Sequence, residues 1–400
     1  MLYQNAGVIP SWFTLSRLTL ARLLGHIESI DRQVVMKYHN MTSGNWWKRS
    51  YRGWVWLPLL VLIAALPARA DPACGSTVIS NVKLTTDTTC TDSPWITIGA
   101  DNITVDLNGR IVQCTDLVTL SCQAEPLVAG VPDNFGINTN GHRNIRIINS
   151  NEEESGVIKG FDVGVWVNGG SNVRVKGITI TGPHDPATPF SPVNPRPVAQ
   201  GILVTGVACG MYNDPSYDAN LVVKISMNTV SNHTEGIELL NASCVKVQGN
   251  TVFNNNSDFH ECHGIFLQHS SHNKMVGNNV FGNGEDAPVD GGITVTDMSS
   301  NNIITQNEVS DNKGDGISLR NGATGNLVVE NEMLFNGDPF TGVLFFDAAA
   351  RTGFPALATG SSGGMNIWRD NECITFTSPE PGSGACKEDE PTMRHPPINR

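Results

Sequence analysis

Short segments with alternating apolar residues recur along the chain. Each begins with glycine, followed by an apolar residue, a variable residue and a second apolar residue, as in Gly236 (GIEL) and Gly264 (GIFL). A period of two indicates a β-strand with one buried face. The copies begin at Gly136, Gly164, Gly201, Gly236, Gly264, Gly292, Gly316 and Gly342. Their spacings are 28, 37, 35, 28, 28, 24 and 26 residues, which indicates one repeat per coil, with insertions in the longer coils.

A second apolar patch in these coils ends in asparagine, any residue, then Val or Met. The asparagines Asn250, Asn278, Asn307 and Asn331 lie 14 or 15 residues after their glycines. Equivalent asparagines in stacked coils are expected to form a hydrogen-bonded ladder. The two patterns predict an all-β fold, a right-handed parallel β-helix (solenoid), in which each coil completes the core of its neighbours.

The first seventy residues have a different character. The apolar run 54–66 is thirteen residues long, follows three basic residues and precedes Ala68-Arg69-Ala70. This arrangement predicts a secretory signal peptide cleaved after Ala70. A bilayer span needs about 20 apolar residues, so we expect no stable membrane association. The sequence therefore predicts a secreted or periplasmic protein.

The remaining boundaries follow from these two features. Residues 41–70 form the predicted signal peptide, since translation could begin at Met41, and a misplaced start codon is the simplest account of residues 1–40. We expect the β-helix with its two caps over residues 71–386. The polar tail 387–400 is expected to be disordered.

The charge is strongly acidic. The whole chain has a net charge of −12, and residues 71–400 alone have −18. This argues against nucleic acid or an anionic membrane as a partner. An acidic exported protein could instead recruit Ca²⁺ to handle a polyanionic sugar, or the charge could serve solubility alone.

All nine cysteines follow the predicted cleavage site, where disulfides are permitted. Close spacing suggests the pairs Cys74–Cys90, Cys114–Cys122, Cys244–Cys262 and Cys373–Cys386, with Cys209 left over. Because no C-x-x-C pair occurs, a structural zinc site is disfavoured.

Two terminal segments resemble known β-helix proteins. Residues 74–109, from Cys74-Gly-Ser to Asp106-Leu-Asn-Gly, are similar to the opening of bacterial β-helix repeat proteins of the pectate-lyase-like superfamily. Residues 366–386, which contain Asn366-Ile-Trp-Arg-Asp-Asn, are similar to their closing segment. The resemblance implies the fold and not one reaction, because the superfamily includes lyases, epimerases, hydrolases and members without known chemistry.

The outward positions of the repeated strands give a candidate sugar-binding face. In G-I-x-L strands the third and fifth residues should point away from the core. Trp166 and Phe266 lie on either side of Glu238 in the third-position row and could stack on sugar rings, unless loops bury them. Gln268 and Arg320, in fifth positions, could supply hydrogen bonds. Insertions at 182–200, 254–263, 282–291 and 210–220 would line both edges of these strands and form a groove.

Titratable residues concentrate where the strands begin. Glu235 and His263 directly precede successive strand glycines and should be neighbours, and a carboxylate beside an imidazole can tune a general base or acid near neutral pH. Asp286 and Asp290 are candidate Ca²⁺ ligands, and Arg320 could neutralise a substrate carboxylate directly. A solvated acidic ledge is the alternative interpretation.

The candidate reactions are β-elimination and C5-epimerisation of a uronate, with His263 or His233 as base. Gly182-Pro183-His184-Asp185 resembles the D-P-H-D motif of mannuronan C5-epimerases but lacks its first aspartate, which leaves His184 in doubt. Hydrolysis is disfavoured because neither the G-H-G nor the R-I-K motif of polygalacturonase-like enzymes occurs.

A non-catalytic binding protein is the other possibility. Such a chain would be similar to periplasmic NosD-like repeat proteins, and residues 260–263 (HECH) could bind a soft metal if Cys262 stays reduced. The sequence predicts an acidic polysaccharide as the partner. It leaves open whether the protein is an enzyme, with elimination or epimerisation favoured.

Overall fold

A computed structural model of the chain describes residues 70–91, 94–115, 134–183, 199–209, 223–256, 262–284, 291–336 and 366–374. They lie in one compact unit, Ala70–Arg400, and contain 29 strands. None of them belongs to a helix long and apolar enough to cross a membrane. The predicted signal peptide and the polar tail lie outside the described residues.

The strands form three sheets in which every neighbouring pair is parallel. The first sheet contains β1 (Ser76–Val78), β4 (Ile96–Ile98), β7 (Phe135–Asn138), β10 (Val163–Asn168), β13 (Gln200–Thr205), β16 (Glu235–Leu240), β19 (His263–Gln268), β22 (Ile293–Thr296) and β25 (Ile317–Leu319), in that order. The second contains β2 (Val82–Lys83), β5 (Thr104–Asp106), β8 (Arg146–Ile148), β11 (Arg174–Lys176), β14 (Val223–Ser226), β17 (Val245–Gln248), β20 (Lys274–Val276), β23 (Ile303–Thr305), β26 (Leu327–Val329) and β28 (Ile367–Arg369). The third contains β3 (Thr88–Cys90), β6 (Ile111–Cys114), β9 (Gly156–Lys159), β12 (Ile178–Thr181), β15 (Thr229–Ser231), β18 (Thr251–Phe253), β21 (Asn279–Phe281), β24 (Glu308–Ser310), β27 (Glu332–Leu334) and β29 (Glu372–Ile374).

Each described coil contributes one strand to each sheet, except the last, whose described strands are β28 and β29 alone, so the predicted right-handed parallel β-helix is confirmed. The repeated G-[IV]-x-[ILV] segments all lie in the first sheet, from β7 to β25, and the copy at Gly342 lies outside the described residues. Their second and fourth residues, such as Ile237 and Leu239, are fully buried in a core that runs through the coils, except for Leu319, which is partly buried against it.

The repeated glycine has a steric cause. A Cβ atom on Gly264 would overlap Cγ1 of Val280 in the third sheet and would lie only 2.9 Å from Nδ2 of Asn283. The first and third sheets therefore meet too closely at this corner for any side chain. Glycine marks the corner in each coil because the same approach recurs, for example between Gly236 and Val252.

The predicted asparagine ladder is confirmed. Asn250 Nδ2 donates to Asn278 Oδ1 at 3.0 Å, and Asn278 Nδ2 donates to Asn307 Oδ1 at 2.8 Å. Asn307 continues to Asn331, and Asn228 and Asn371 extend the ladder at its two ends. Each side chain also binds a backbone carbonyl, so these amides satisfy buried polar groups at the turn.

Two further asparagine ladders were not predicted from the sequence. One joins Asn255, Asn283, Asn312 and Asn336. The other joins Asn273, Asn302, Asn326 and Asn366. Their residue intervals nearly repeat those of the strand glycines, which is the signal that would have identified them.

The cysteine pairing was predicted in part. Cys74–Cys90 is confirmed. The predicted Cys244–Cys262 bond is wrong, because Cys244 pairs with Cys209, the residue expected to be left over. Cys209 and Cys244 lie in adjacent turns with Cα atoms 5.3 Å apart, whereas Cys262 precedes β19 at the other end of the strands and remains a buried thiol. The other two predicted pairs include Cys122 and Cys386, which lie outside the described residues.

Candidate functional site

The third-position residues form one continuous row across the first sheet, as expected. Register places Glu238 between Leu203 and Phe266, and Trp166 beside Leu203. The whole row consists of Trp166, Leu203, Glu238, Phe266, Thr294 and Ser318. These side chains point away from the main core, yet none is more than 9% exposed. The sequence left open whether the aromatic side chains of this row are exposed or buried, and they are buried.

Trp166 is held firmly in this face. It packs with Val163 and Leu203 in a small apolar cluster separate from the main core. Its indole Nε1 donates to Thr205 Oγ1 at 2.9 Å, and the ring of Phe135 meets it edge-on with centroids 6.1 Å apart. The indole is thus held both by the hydrogen bond of its N–H and by the packing of its ring. Its role in stacking on a sugar stays a prediction.

Glu235 and His263 lie side by side, as the strand register predicted. They are paired across β16 and β19, and His263 Nδ1 lies 3.0 and 3.1 Å from the two carboxylate oxygens. The side chains are 7% and 0% exposed, respectively. An ionised Glu235 can only accept hydrogen bonds, so Nδ1–H would donate to it, and in the neutral imidazole the lone pair would lie on Nε2. That is the tautomer a general base requires.

Phe266 fixes the imidazole from its face. The rings of His263 and Phe266 are stacked with centroids 4.3 Å apart and 6° between their planes. The two residues are three apart in β19, so a single strand supplies both stacked rings. The face of the Phe266 ring, which was predicted to stack on a sugar, therefore contacts the imidazole of His263.

Glu238 is the third member of this group. The pKa of Glu238 is raised from 4.5 to about 7, chiefly by burial and then by repulsion from Glu235, while a hydrogen bond from Gln200 and the charge of His263 act to lower it. Glu238 thus changes protonation near neutral pH. We name Glu235, His263 and Glu238 the acid–base group.

Gln200 was missed by the sequence analysis. It is paired with Glu235 across β13 and β16, is 7% exposed and bonds Glu238 through its side chain. Gln200 directly precedes the strand glycine Gly201, as Glu235 precedes Gly236. Extending that positional rule by one coil would have identified it.

Arg320 lies away from the acid–base group. It follows β25, two strands beyond β19, which corresponds to about 10 Å within the sheet. Its Nη2 donates to Asp315 Oδ2 at 2.7 Å, so its charge is partly neutralised. Gln268 is likewise engaged, donating to Asp297 Oδ2 at 2.7 Å. The structure thus brings together Glu235, Glu238, His263 and Phe266, but not Arg320.

Of the remaining candidate site residues, only His233 lies among the described residues. His233 is fully buried on a loop before β16, beside Gly201. His184, Asp286 and Asp290 lie outside the described residues. In the part of the chain that the structure describes, no three His, Cys, Asp or Glu side chains come close enough to hold a metal ion.

Comparison with solved structures finds bacteriophage tailspikes. The Dettilon tailspike protein (gp208) is 16% identical with a TM-score of 0.40, over 66% of this chain and 51% of that chain. The enzymatically active domain of tailspike protein 2 of bacteriophage CBA120 is 13% identical with a TM-score of 0.30, over 69% and 42%. Full-length tailspike protein 2 from Escherichia coli O157:H7 bacteriophage CAB120 is also 13% identical with a TM-score of 0.30, over 69% and 38%. The match spans about half or less of these proteins, and the likeness adds nothing to the fold that the three sheets establish. No curated protein matches the chain.

The family comparison is more informative. The family described as "Periplasmic copper-binding protein (NosD)" matches residues 140–342, which include the acid–base group. The described residues do not fit a copper centre, because no three of their His, Cys, Asp or Glu side chains are grouped so that they could hold a metal ion, and Nδ1 of His263 binds Glu235. His260 and Glu261 lie outside the described residues. Since the match covers just over half of the chain, the protein belongs to the NosD family.

Proposed function

We propose that this protein is an exported β-helix that binds an acidic polysaccharide along the outer face of its first sheet, in the periplasm or outside the cell. We further propose that the acid–base group acts on that polymer by β-elimination or C5-epimerisation. The observation that carries this proposal is the buried Glu235–His263 pair beside Glu238, whose pKa is about 7. Pairs of titratable groups in such distinct environments are typical of acid–base sites.

The proposed proton steps use the Glu235–His263 pair. His263 Nε2 would take the proton from C5 of a uronate, and Glu235 would stabilise the resulting imidazolium through Nδ1–H. In elimination, the C5–H electron pair forms a C4=C5 double bond, the C4–O4 bond breaks, and the leaving oxygen takes the proton from the imidazolium. In epimerisation, water returns a proton to the opposite face of C5, and the imidazolium later releases its proton to solvent.

Charge on the sugar carboxylate must be stabilised during this step. Protonated Glu238 can donate a hydrogen bond to that carboxylate as negative charge accumulates on it. Arg320, further along the same face, and Ca²⁺ held by Asp286 and Asp290 are proposed to hold neighbouring carboxylates. Trp166, Phe266 and Gln268 would line the same path. Because His263 is fully buried and Trp166, Glu238 and Phe266 are at most 9% exposed, a bound sugar would have to replace the groups that now shield all four.

A second candidate is a binding protein without chemistry. Family membership is compatible with it, because the NosD family is described by periplasmic copper binding and not by a reaction on sugars. In that case the same face would bind a carbohydrate or another exported protein, and the acid–base group would be a buried structural network.

Incubation with acidic glycans separates the two candidates. The purified protein is mixed with alginate or polygalacturonate, with added Ca²⁺ or with EDTA, and NMR follows both C4=C5 double bonds and inverted C5 centres. We expect product with the native protein and a loss of about 100-fold or more with His263→Ala. The matched control is His142→Ala, which removes a half-buried histidine paired with Asp101 in an earlier coil and should retain full activity.

The opposite results are equally clear. Glycan binding without product in any condition would favour the non-catalytic candidate. Unchanged turnover in His263→Ala would remove this residue as the base.

A further inference from the structure

A row of cationic side chains crosses the second sheet. Five consecutive strands, β8, β11, β14, β17 and β20, each place one basic residue at the same register position. The cationic row consists of Arg146, Arg174, Lys224, Lys246 and Lys274. The next strand places Ile303 at this position, so the charge is confined to these five strands.

The five side chains point away from the core into solvent. The residues that follow them in β11, β14, β17 and β20 are Val175, Ile225, Val247 and Met275, all fully buried, which fixes the outward direction of the cations. Arg146, Lys224 and Lys274 are exposed, and Arg174 and Lys246 are half-buried.

No carboxylate among the described residues neutralises this row. Elsewhere on the same sheet Lys83 is paired with Asp106 at 3.5 Å, so the sheet can carry its own counter-charges. Like charges directly opposite on neighbouring strands are destabilising. The cationic row places five such charges in register. Solubility does not require it, because the chain already has a net charge of −12.

We propose that the cationic row is a binding site for a linear anionic polysaccharide. Strands lie about 4.8 Å apart, so five charges in single file extend over about 19 Å. Such a row complements a polymer with acidic groups at regular intervals along one line. A planar anionic membrane or a nucleic acid fits less well, because the acidic remainder of the protein repels an extended surface of negative charge.

This site is separate from the acid–base group. The cationic row belongs to the second sheet and the acid–base group to the first, so the proposal does not depend on any catalytic role for His263. The cationic row would hold the polymer on the second sheet, away from the acid–base group on the first sheet. Both surfaces could contribute to binding, and the test therefore uses variants of each.

The test measures binding of polygalacturonate, which has one carboxylate per sugar, to the native full chain at low salt. Lys224→Gln with Lys246→Gln removes the centre of the row, and we expect binding about tenfold weaker, since an exposed ion pair contributes about two- to fivefold. Lys224→Arg with Lys246→Arg should restore native affinity. The matched control, Lys159→Gln with Lys313→Gln, removes the same charge from other surfaces and should leave affinity unchanged.

Further measurements distinguish the cationic row from a general attraction between opposite charges. Native binding should weaken steeply with added salt, and neutral dextran should not bind. Equal weakening by the row variant and the control would overturn the proposal, since net charge alone would then account for binding. So would a preference for phosphatidylglycerol vesicles or duplex DNA over polygalacturonate. Loss of binding in Glu238→Gln, with the row variant unaffected, would assign binding to the first sheet instead.

Discussion

Replacing Glu238 by glutamine tests whether this buried carboxyl carries a proton near neutral pH. Glu238 is 7% exposed and lies between Leu203 and Phe266. Burial raises its pKa from 4.5 to about 7, with a smaller contribution from Glu235. Glutamine has nearly the same shape, remains neutral at every pH and can keep a hydrogen bond with Gln200.

The expected effect of Glu238 on the free energy of unfolding follows from proton linkage. Below pH 4.5 both the folded and the unfolded chain hold the proton, so Glu238 contributes no pH dependence. Between pH 4.5 and about 7 the unfolded state releases the proton while the folded state retains it, so the free energy of unfolding falls as pH rises. Each pKa unit corresponds to about 1.4 kcal/mol, which gives a total loss of about 3 kcal/mol above pH 7.

Urea denaturation of the native protein and of Glu238→Gln at several pH values measures this loss. The two free energies of unfolding should be similar at pH 4, and at pH 8 the variant should be more stable by about 3 kcal/mol. Glu152→Gln, at an exposed position, is the control and should differ from the native protein by less than about 0.5 kcal/mol at both values. If native and Glu238→Gln curves run parallel from pH 4 to pH 8, the pKa of Glu238 is the same in the folded and the unfolded chain, and the acid–base assignment fails.

Two further predictions concern what holds the solenoid together. Asn278→Ala removes four buried hydrogen bonds, including the acceptor of the Asn250 backbone N–H, and should reduce the free energy of unfolding by about 3–5 kcal/mol. Asn81→Ala removes one exposed bond and should cost less than about 1 kcal/mol, so similar urea midpoints for the two variants would refute the role of the ladder. Peptide mapping without reduction should recover Cys209 joined to Cys244. Replacing both by alanine should cost about 4 kcal/mol for a loop of 35 residues, and a Cys244–Cys262 peptide would contradict the structure.

The fold and part of the site were accessible from sequence for one reason. In a parallel solenoid, contacts across coils join residues at equivalent register positions, so the spacing of the glycines also gives the pairing of side chains. Glu235 and His263 were predicted as neighbours in this way, and Asn250 and Asn278 likewise. The cationic row obeys the same rule but was missed, because its members are 22 to 50 residues apart and no glycine marks them.

Exposure, protonation and covalent pairing were decided only in the tertiary structure. Strand periodicity gives the direction of Trp166 and Phe266, but burial depends on what packs over the sheet, and these side chains proved to be buried. The raised pKa of Glu238 depends on the same burial. Cysteine spacing suggested Cys244–Cys262, whereas the turns of neighbouring coils bring Cys209 to Cys244. Sequence thus determined which residues share a row, because the repeat is local, and the packed fold decided which rows meet water, because burial is a property of the whole molecule.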